Sequence, residues 1–194
     1  MHRITRFSLI AALAAISLPV FGAVRGTVAV VPTVNASGEK WVEFKQRQAA
    51  MIDDWAVTHL PAAGYALTPR DDVRSAVRAL ALDMTDEENW RRSVVLEIGK
   101  KAGAEFVLFC AITSTEQKLQ KRPFYEDKEG RTDVRVWLMD TRTGEALLTG
   151  KTFTGRSGGN RVSLDNKGSE RQIQAAANAV RDATRDFLAP YKAK

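Results

Sequence analysis

Residues 106–112, Phe-Val-Leu-Phe-Cys-Ala-Ile, are the most apolar run of the chain beyond residue 23. The run is bounded by Glu105 and by Thr113-Ser114-Thr115, so it is too short for a buried helix and the right length for a strand covered on both faces. Such a strand belongs at the centre of a sheet. The segments around it must therefore supply both neighbouring strands and two covering layers.

Upstream, Val28 to Val31 is a second continuous apolar run, ended by Pro32, and residues 33–40 read as a loop. Phe44, Met51, Ile52, Trp55 and His59 fall at helical spacing between Trp41 and Leu60, with Pro61 and Gly64 as stop signals. Tyr65-Ala66-Leu67 is a short strand. Thr68 then caps a helix with Pro69 first and Asp71 and Asp72 in its first turn, and Val73, Ala76, Val77, Leu80 and Ala81 give the buried stripe. Thr85 with Glu88 forms a capping box, and Val94, Val95, Ile98 and Ala102 continue the pattern to Gly103, giving two successive helices or one bent one.

Downstream, residues 117–132 are polar and read as an exposed loop. Val134 to Met139 and Ala146 to Thr154 form an antiparallel pair about Asp140-Thr-Arg-Thr-Gly144, a turn in which glycine takes the left-handed conformation. Residues 155–168 read as a second loop. Ser169 and Gln172 then open a last helix with Ile173, Ala176, Ala177, Val180, Thr184, Phe187, Leu188 and Tyr191 on one face. This order predicts an α/β fold, a mixed five-stranded sheet packed by helices in a single domain.

The chain has 194 residues, 44% hydrophobic and 27% charged, an ordinary globular composition. Residues 1–23 stand apart: Arg3 and Arg6 precede an apolar run from Phe7 to Leu18, and Pro19 leads to a small-residue exit at Gly22-Ala23. That pattern is a cleaved signal peptide, and residues 24–194 are then the exported domain. No cysteine lies near the exit, so the expected location is periplasmic without a lipid anchor. Removing Arg3 and Arg6 takes the 29 basic residues to 27 against 23 acidic ones, a net charge of +4. A mildly basic exported protein suits weak contact with anionic lipid or cell-wall polymer and excludes nucleic acid as a partner.

The single cysteine excludes a disulfide framework and multi-cysteine metal sites, and with two histidines the chain calls for no metal and no cofactor. Ser37 and Lys40 have the spacing of a penicillin-recognising acyl enzyme, but they lie in a loop, and Lys151-Thr152 is followed by Phe153 where that chemistry needs glycine. Gly150-Lys151-Thr152 echoes a phosphate loop, yet Glu145 stands where its first glycine belongs. His59, the only histidine after residue 23, reads as a partly buried structural residue and Cys110 as a small hydrophobe. Asp83, Asp86, Glu87 and Glu88 read as helix-start residues rather than a cation site. No catalytic residues are expected.

Three stretches carry a resemblance: Val28-Ala-Val-Val-Pro32 with the Asn and Gly loop after it, Ile98-Gly-Lys-Lys-Ala-Gly-Ala-Glu-Phe-Val-Leu108, and Val134-Arg-Val-Trp-Leu-Met-Asp-Thr-Arg-Thr-Gly-Glu145. In order and spacing the chain resembles the family containing the curli secretion channel CsgG, the penicillin-binding-protein activator LpoB and the N-terminal domain of TolB. The resemblance implies a non-enzymatic envelope protein acting through protein contacts, as an adaptor or assembly component in cell-wall synthase activation or export-complex support. Its alternative is a ring-forming homo-oligomer accessory to secretion or polysaccharide export, and a hydrolase is the third reading. Membrane hairpins of the channel correspond to residues 117–132 and 155–168, which are polar here, so no pore is expected. The expected contact for an envelope protein partner is the first of these segments, where Phe124 and Tyr125 sit among Lys118, Lys121 and Arg122.

Overall fold

The computed structural model describes residues 24–122, 125–158 and 168–189. They form β1 (Thr27–Val30), β2 (Val34–Asn35), α1 (Val42–Ala62), β3 (Ala66–Leu67), α2 (Arg70–Ala79), α3 (Arg92–Lys101), β4 (Phe106–Arg122), β5 (Tyr125–Asp140), β6 (Ala146–Ser157) and α4 (Gly168–Leu188). The sheet runs β3-β1-β4-β5-β6, with β2 also paired to β4. β1 is parallel to β3 and β4, whereas β4, β5 and β6 are successively antiparallel.

The apolar run at 106–112 is central, as its composition requires. Leu108, Cys110 and Ile112 face α1 and α4 together with Val28, Val134, Val136 and Leu138. Val107, Phe109 and Ala111 face the opposite layer, α2 and α3, with Ala29, Val31, Trp137 and Met139. Period-two alternation thus serves two apolar cores at once, and each fully buried Leu, Ile or Phe stabilises the fold by roughly 1.5–3 kcal/mol.

The sixth strand is Val34–Asn35, which the sequence places in a loop. Val34 lies opposite Ala111 and Asn35 opposite Ile112, continuing the β1 side of the ladder after Pro32, which has no N–H to offer it. α1 does not stop at Pro61 but runs to Ala62, and Gly64, at φ +89°, turns the chain out of it. The second helical pattern also begins later than its capping box suggests. Asp83 accepts from the Thr85 hydroxyl and N–H, Asp86 caps a single 3-10 turn at Glu87–Asn89, and α3 starts only at Arg92.

The largest correction concerns residues 117–132. They are not a loop: β4 and β5 stay paired from Ser114↔Asp133 to Arg122↔Tyr125, forming a long hairpin. Glu116 is in register with Arg131 and Lys118 with Glu129, so charges complement across the ladder and support it. The second expected loop is also partly strand, because β6 continues through Gly155 to Ser157, and residues 159–167 lie outside the described residues. β6 skips register at Leu147 and at Gly150, which has φ +70°, then pairs evenly with β5 from Lys151 to Ser157.

Candidate functional site

The hairpin is the one long extension of the sheet among the described residues. β6 leaves β5 at Gly130↔Ser157, so from Gln117 to Glu129 each hairpin strand has only the other as partner. Its departure begins at Thr113, the extra residue of a bulge between Ile112↔Val134 and Ser114↔Asp133. A bulge bends its strand and shifts the alternation by one. Residues 107, 109 and 111 face α2 and α3, but after Thr113 the odd-numbered Thr115 turns to the α1 and α4 side.

That shift completes a polar network at the hairpin base. Gln48, in mid-α1, is fully buried. Its Oε1 accepts from Asn35 Nδ2 at 2.9 Å, and its Nε2 donates to Thr115 Oγ1 at 3.0 Å and to Gln172 O at 3.4 Å. Thr132 Oγ1 donates to the same Gln172 carbonyl at 2.9 Å. Asn35 Oδ1 accepts from the Ser37 hydroxyl at 2.6 Å and from its N–H at 3.1 Å. One connected set of hydrogen bonds therefore joins β2, α1, β4, β5 and α4 where the hairpin leaves the body.

α4 clamps the same base from above. A Cβ at Gly130 would sit 2.5 Å from Arg171 C and Gln172 N, and one at Gly155 would sit 2.6 Å from Ala179 N and collide with Ala175 O. The helix answers with its own small residues, Ala175, Ala176, Ala177 and Ala179, all buried. Backbone lies nearly on backbone there, which only such pairings allow.

Of the expected contact residues, Lys118 is exposed on β4, Lys121 and Arg122 occupy its last two paired positions, and Tyr125 opens β5 opposite Arg122. Phe124 lies outside the described residues. The set formed by buried Gln48 and Thr132 with half-buried Thr115 was not picked out from the sequence, although Gln48 stands midway between Phe44 and Ile52 on the buried stripe, an uncommon place for an amide.

The residues tested for chemistry are dispersed. Ser37 is buried and hydrogen-bonded to Asn35, while Lys40 is exposed. Gly150-Lys151-Thr152 lies in β6, not at a strand-to-helix turn. His59 is exposed, contrary to expectation, because its last-turn position carries it past the core to stack on Trp55 at 4.8 Å, its Nδ1 2.9 Å from Trp55 O. Cys110 is fully enclosed, and burial pushes its thiol far above the ordinary range, which suppresses the nucleophilic thiolate. No group of three or more His, Cys, Asp or Glu side chains that could hold a metal occurs among the described residues. No helix among them is long and apolar enough to cross a membrane.

One carboxyl is displaced upward. Asp53, on α1, accepts from Thr33 N–H at 3.1 Å and Thr33 Oγ1 at 2.7 Å, yet desolvation outweighs these bonds and raises its pKa above the ordinary 3.8. The folded state then holds the proton more tightly than the unfolded chain. Stability from this group is greatest below pH 3.8 and is lost as pH rises through the raised value. Asp53→Asn keeps an oxygen for both Thr33 donors, so the variant should gain on the wild type in urea midpoint between pH 3.5 and pH 7. An equal difference at both pH values would discard this assignment.

These elements define a three-layer α/β domain with a long antiparallel hairpin. No protein-family model matches the chain, and no curated protein does. Solved structures similar to it include lipoprotein GNA1162 from Neisseria meningitidis, at 19% identity and a TM-score of 0.46 over 80% of this chain and 98% of that one. The LpoB C-terminal domain from Escherichia coli aligns at 17% identity and a TM-score of 0.41, over 70% of this chain and 83% of its own. The PelC dodecamer from Paraburkholderia phytofirmans aligns at 17% identity and a TM-score of 0.37, over 80% and 88% respectively.

Proposed function

We propose that the chain is an exported envelope protein, its first 23 residues a cleaved signal, that acts as an adaptor by gripping another envelope protein with its hairpin. The carrying observation is mechanical: an arm with a single ladder partner per strand, rooted in a hydrogen-bond network around the buried Gln48 and clamped by α4. A rigid base lets a small contact area at the tip bind without the ordering cost of a flexible loop. Phe124 and Tyr125 would be the aromatic anchors, with Lys118, Lys121 and Arg122 the charged rim.

The test is recovery of envelope proteins by tagged wild type and by Phe124→Ala/Tyr125→Ala. A partner held by this arm should be recovered at least tenfold less by the double variant, the scale of losing one anchor worth about 1.4 kcal/mol or more. Unchanged recovery of every partner removes the hairpin as the site.

A second reading rests on β6, whose even pairing from Lys151 to Ser157 leaves an outer edge with no strand against it among the described residues. Such an edge is a template for a second copy. Light scattering of concentrated protein should then give a multiple of the monomer mass, and a monomer at all concentrations ends the ring reading.

A further inference from the structure

β1, continued in the sheet by β2, leads to α1 on one face, whereas β3 is followed by α2 on the other. The chain thus departs in opposite directions from two adjacent parallel strands, which opens a crevice beyond their carboxyl ends, the usual place for ligands in open α/β sheets. β3 spans only Ala66–Leu67 and pairs with Thr27 and Val28, so it leaves the rest of that edge uncovered.

Two adjoining hollows occupy the crevice and share Pro32 and Arg74. The smaller, about 50 Å³, is bordered by Asp53 and Arg70. The larger, about 260 Å³, lies just below the roughly 300–1,000 Å³ of small-molecule pockets and has a floor of Pro32, Val34, Val77 and Met84. Its charged side chains are Arg74 and Arg78 alone. Spaced i,i+4 on α2, and following Arg70 by the same interval, they make a stripe of like charge in which Arg70 lies 3.8 Å from Asp54 and the other two meet no acidic side chain from outside the helix among the described residues. Arg74 has only a 3.8 Å contact with the exposed Asp71, and Arg78 forms no ion pair among the described residues.

We infer that the larger hollow binds a small amphipathic anion, a carboxylate on a short apolar body, with Arg74 and Arg78 on the carboxylate and the Pro32, Val34, Val77 and Met84 surface against the apolar part. Both halves of the ligand are specified by the lining. Guanidinium forks match a carboxylate bidentately. Thr33, the remaining lining residue, commits its N–H and its hydroxyl proton to Asp53, so no uncharged donor is left there for a sugar or a nucleobase. Asp53, bordering the neighbouring hollow, repels a second anion and confines the charge to the α2 side.

The experiment is a titration of isotope-labelled protein, using the full exported chain, with octanoate, and in parallel with octanol and with acetate. Octanoate should shift the amides of Thr33, Val34, Arg74, Val77, Arg78 and Met84 saturably, at least tenfold more tightly than either octanol or acetate. Arg74→Gln/Arg78→Gln, which alters only exposed groups, should keep the wild-type spectrum elsewhere and weaken octanoate at least tenfold. Octanoate binding the variant as well as the wild type, or leaving these amides unmoved at millimolar concentration, overturns the assignment. So does octanol binding as tightly as octanoate, which would mean an apolar hollow without anion recognition, and so does acetate binding as tightly, which would mean a charged surface without a pocket.

Discussion

Gly155→Ala should destabilise the fold by about 3 kcal/mol, the top of the usual range for overpacking, and release α4 from the sheet. The added methyl has nowhere to go, since its contacts would be Ala175 O and Ala179 N, backbone atoms of a helix interior that no rotamer change can move aside. Gly155 is not at positive φ, so the loss is steric and not conformational. Urea unfolding should show a lower midpoint, and hydrogen exchange should quicken in α4 and at the Gly130 end of β5 before it does in α2 and α3. An Ala variant as stable as the wild type would mean that α4 does not lie on β6 as described.

Gln48→Ala should cost about 2–4 kcal/mol. The substitution leaves Asn35 Nδ2 without its Gln48 acceptor and removes the link between α1 and Thr115, at a side chain that itself has no exposure to water. It also opens a cavity beneath the hairpin base. Gln48→Leu fills that cavity without restoring any hydrogen bond, so it should recover only part of the loss. The hairpin should feel both substitutions: amides at Thr115 and Thr132 should exchange faster than those at Leu108 and Val136. If Gln48→Leu matches the wild type in stability and in exchange, the network is not what holds the arm.

The central layer was readable because it obeys one rule. Val28, Phe109 and Val136 lie on strands covered on both faces, and continuous apolar runs of bounded length have few other uses. The two-residue β2 was not readable, since Val34 and Asn35 carry no period and owe their pairing to Ala111 and Ile112, more than seventy positions away in the chain. The hairpin was missed for a different reason. Residues 117–132 lack apolar alternation, and a polar stretch without a period reads as a loop. A charge pattern was there instead: Glu116, Lys118 and Lys121 are mirrored by Arg131, Glu129 and Glu126 about Pro123 and Phe124. Of the expected contact residues, Lys118, Lys121, Arg122 and Tyr125 therefore fall on the arm's two strands, while its root, Gln48 with Thr115 and Thr132, depends on three elements distant in sequence.

The single unmatched residue at position 113 acts as a phase setter for everything beyond it. With it, Thr115 looks toward α1, while Glu116 and Lys118 are displayed outward. Were Thr113 paired with Asp133 instead of bulged out, β4 would slip by one residue against β5 and turn the opposite set of its side chains outward with no change in sequence. The chemistry shown to the outside is thus encoded as much by which residue the ladder skips as by the residues themselves.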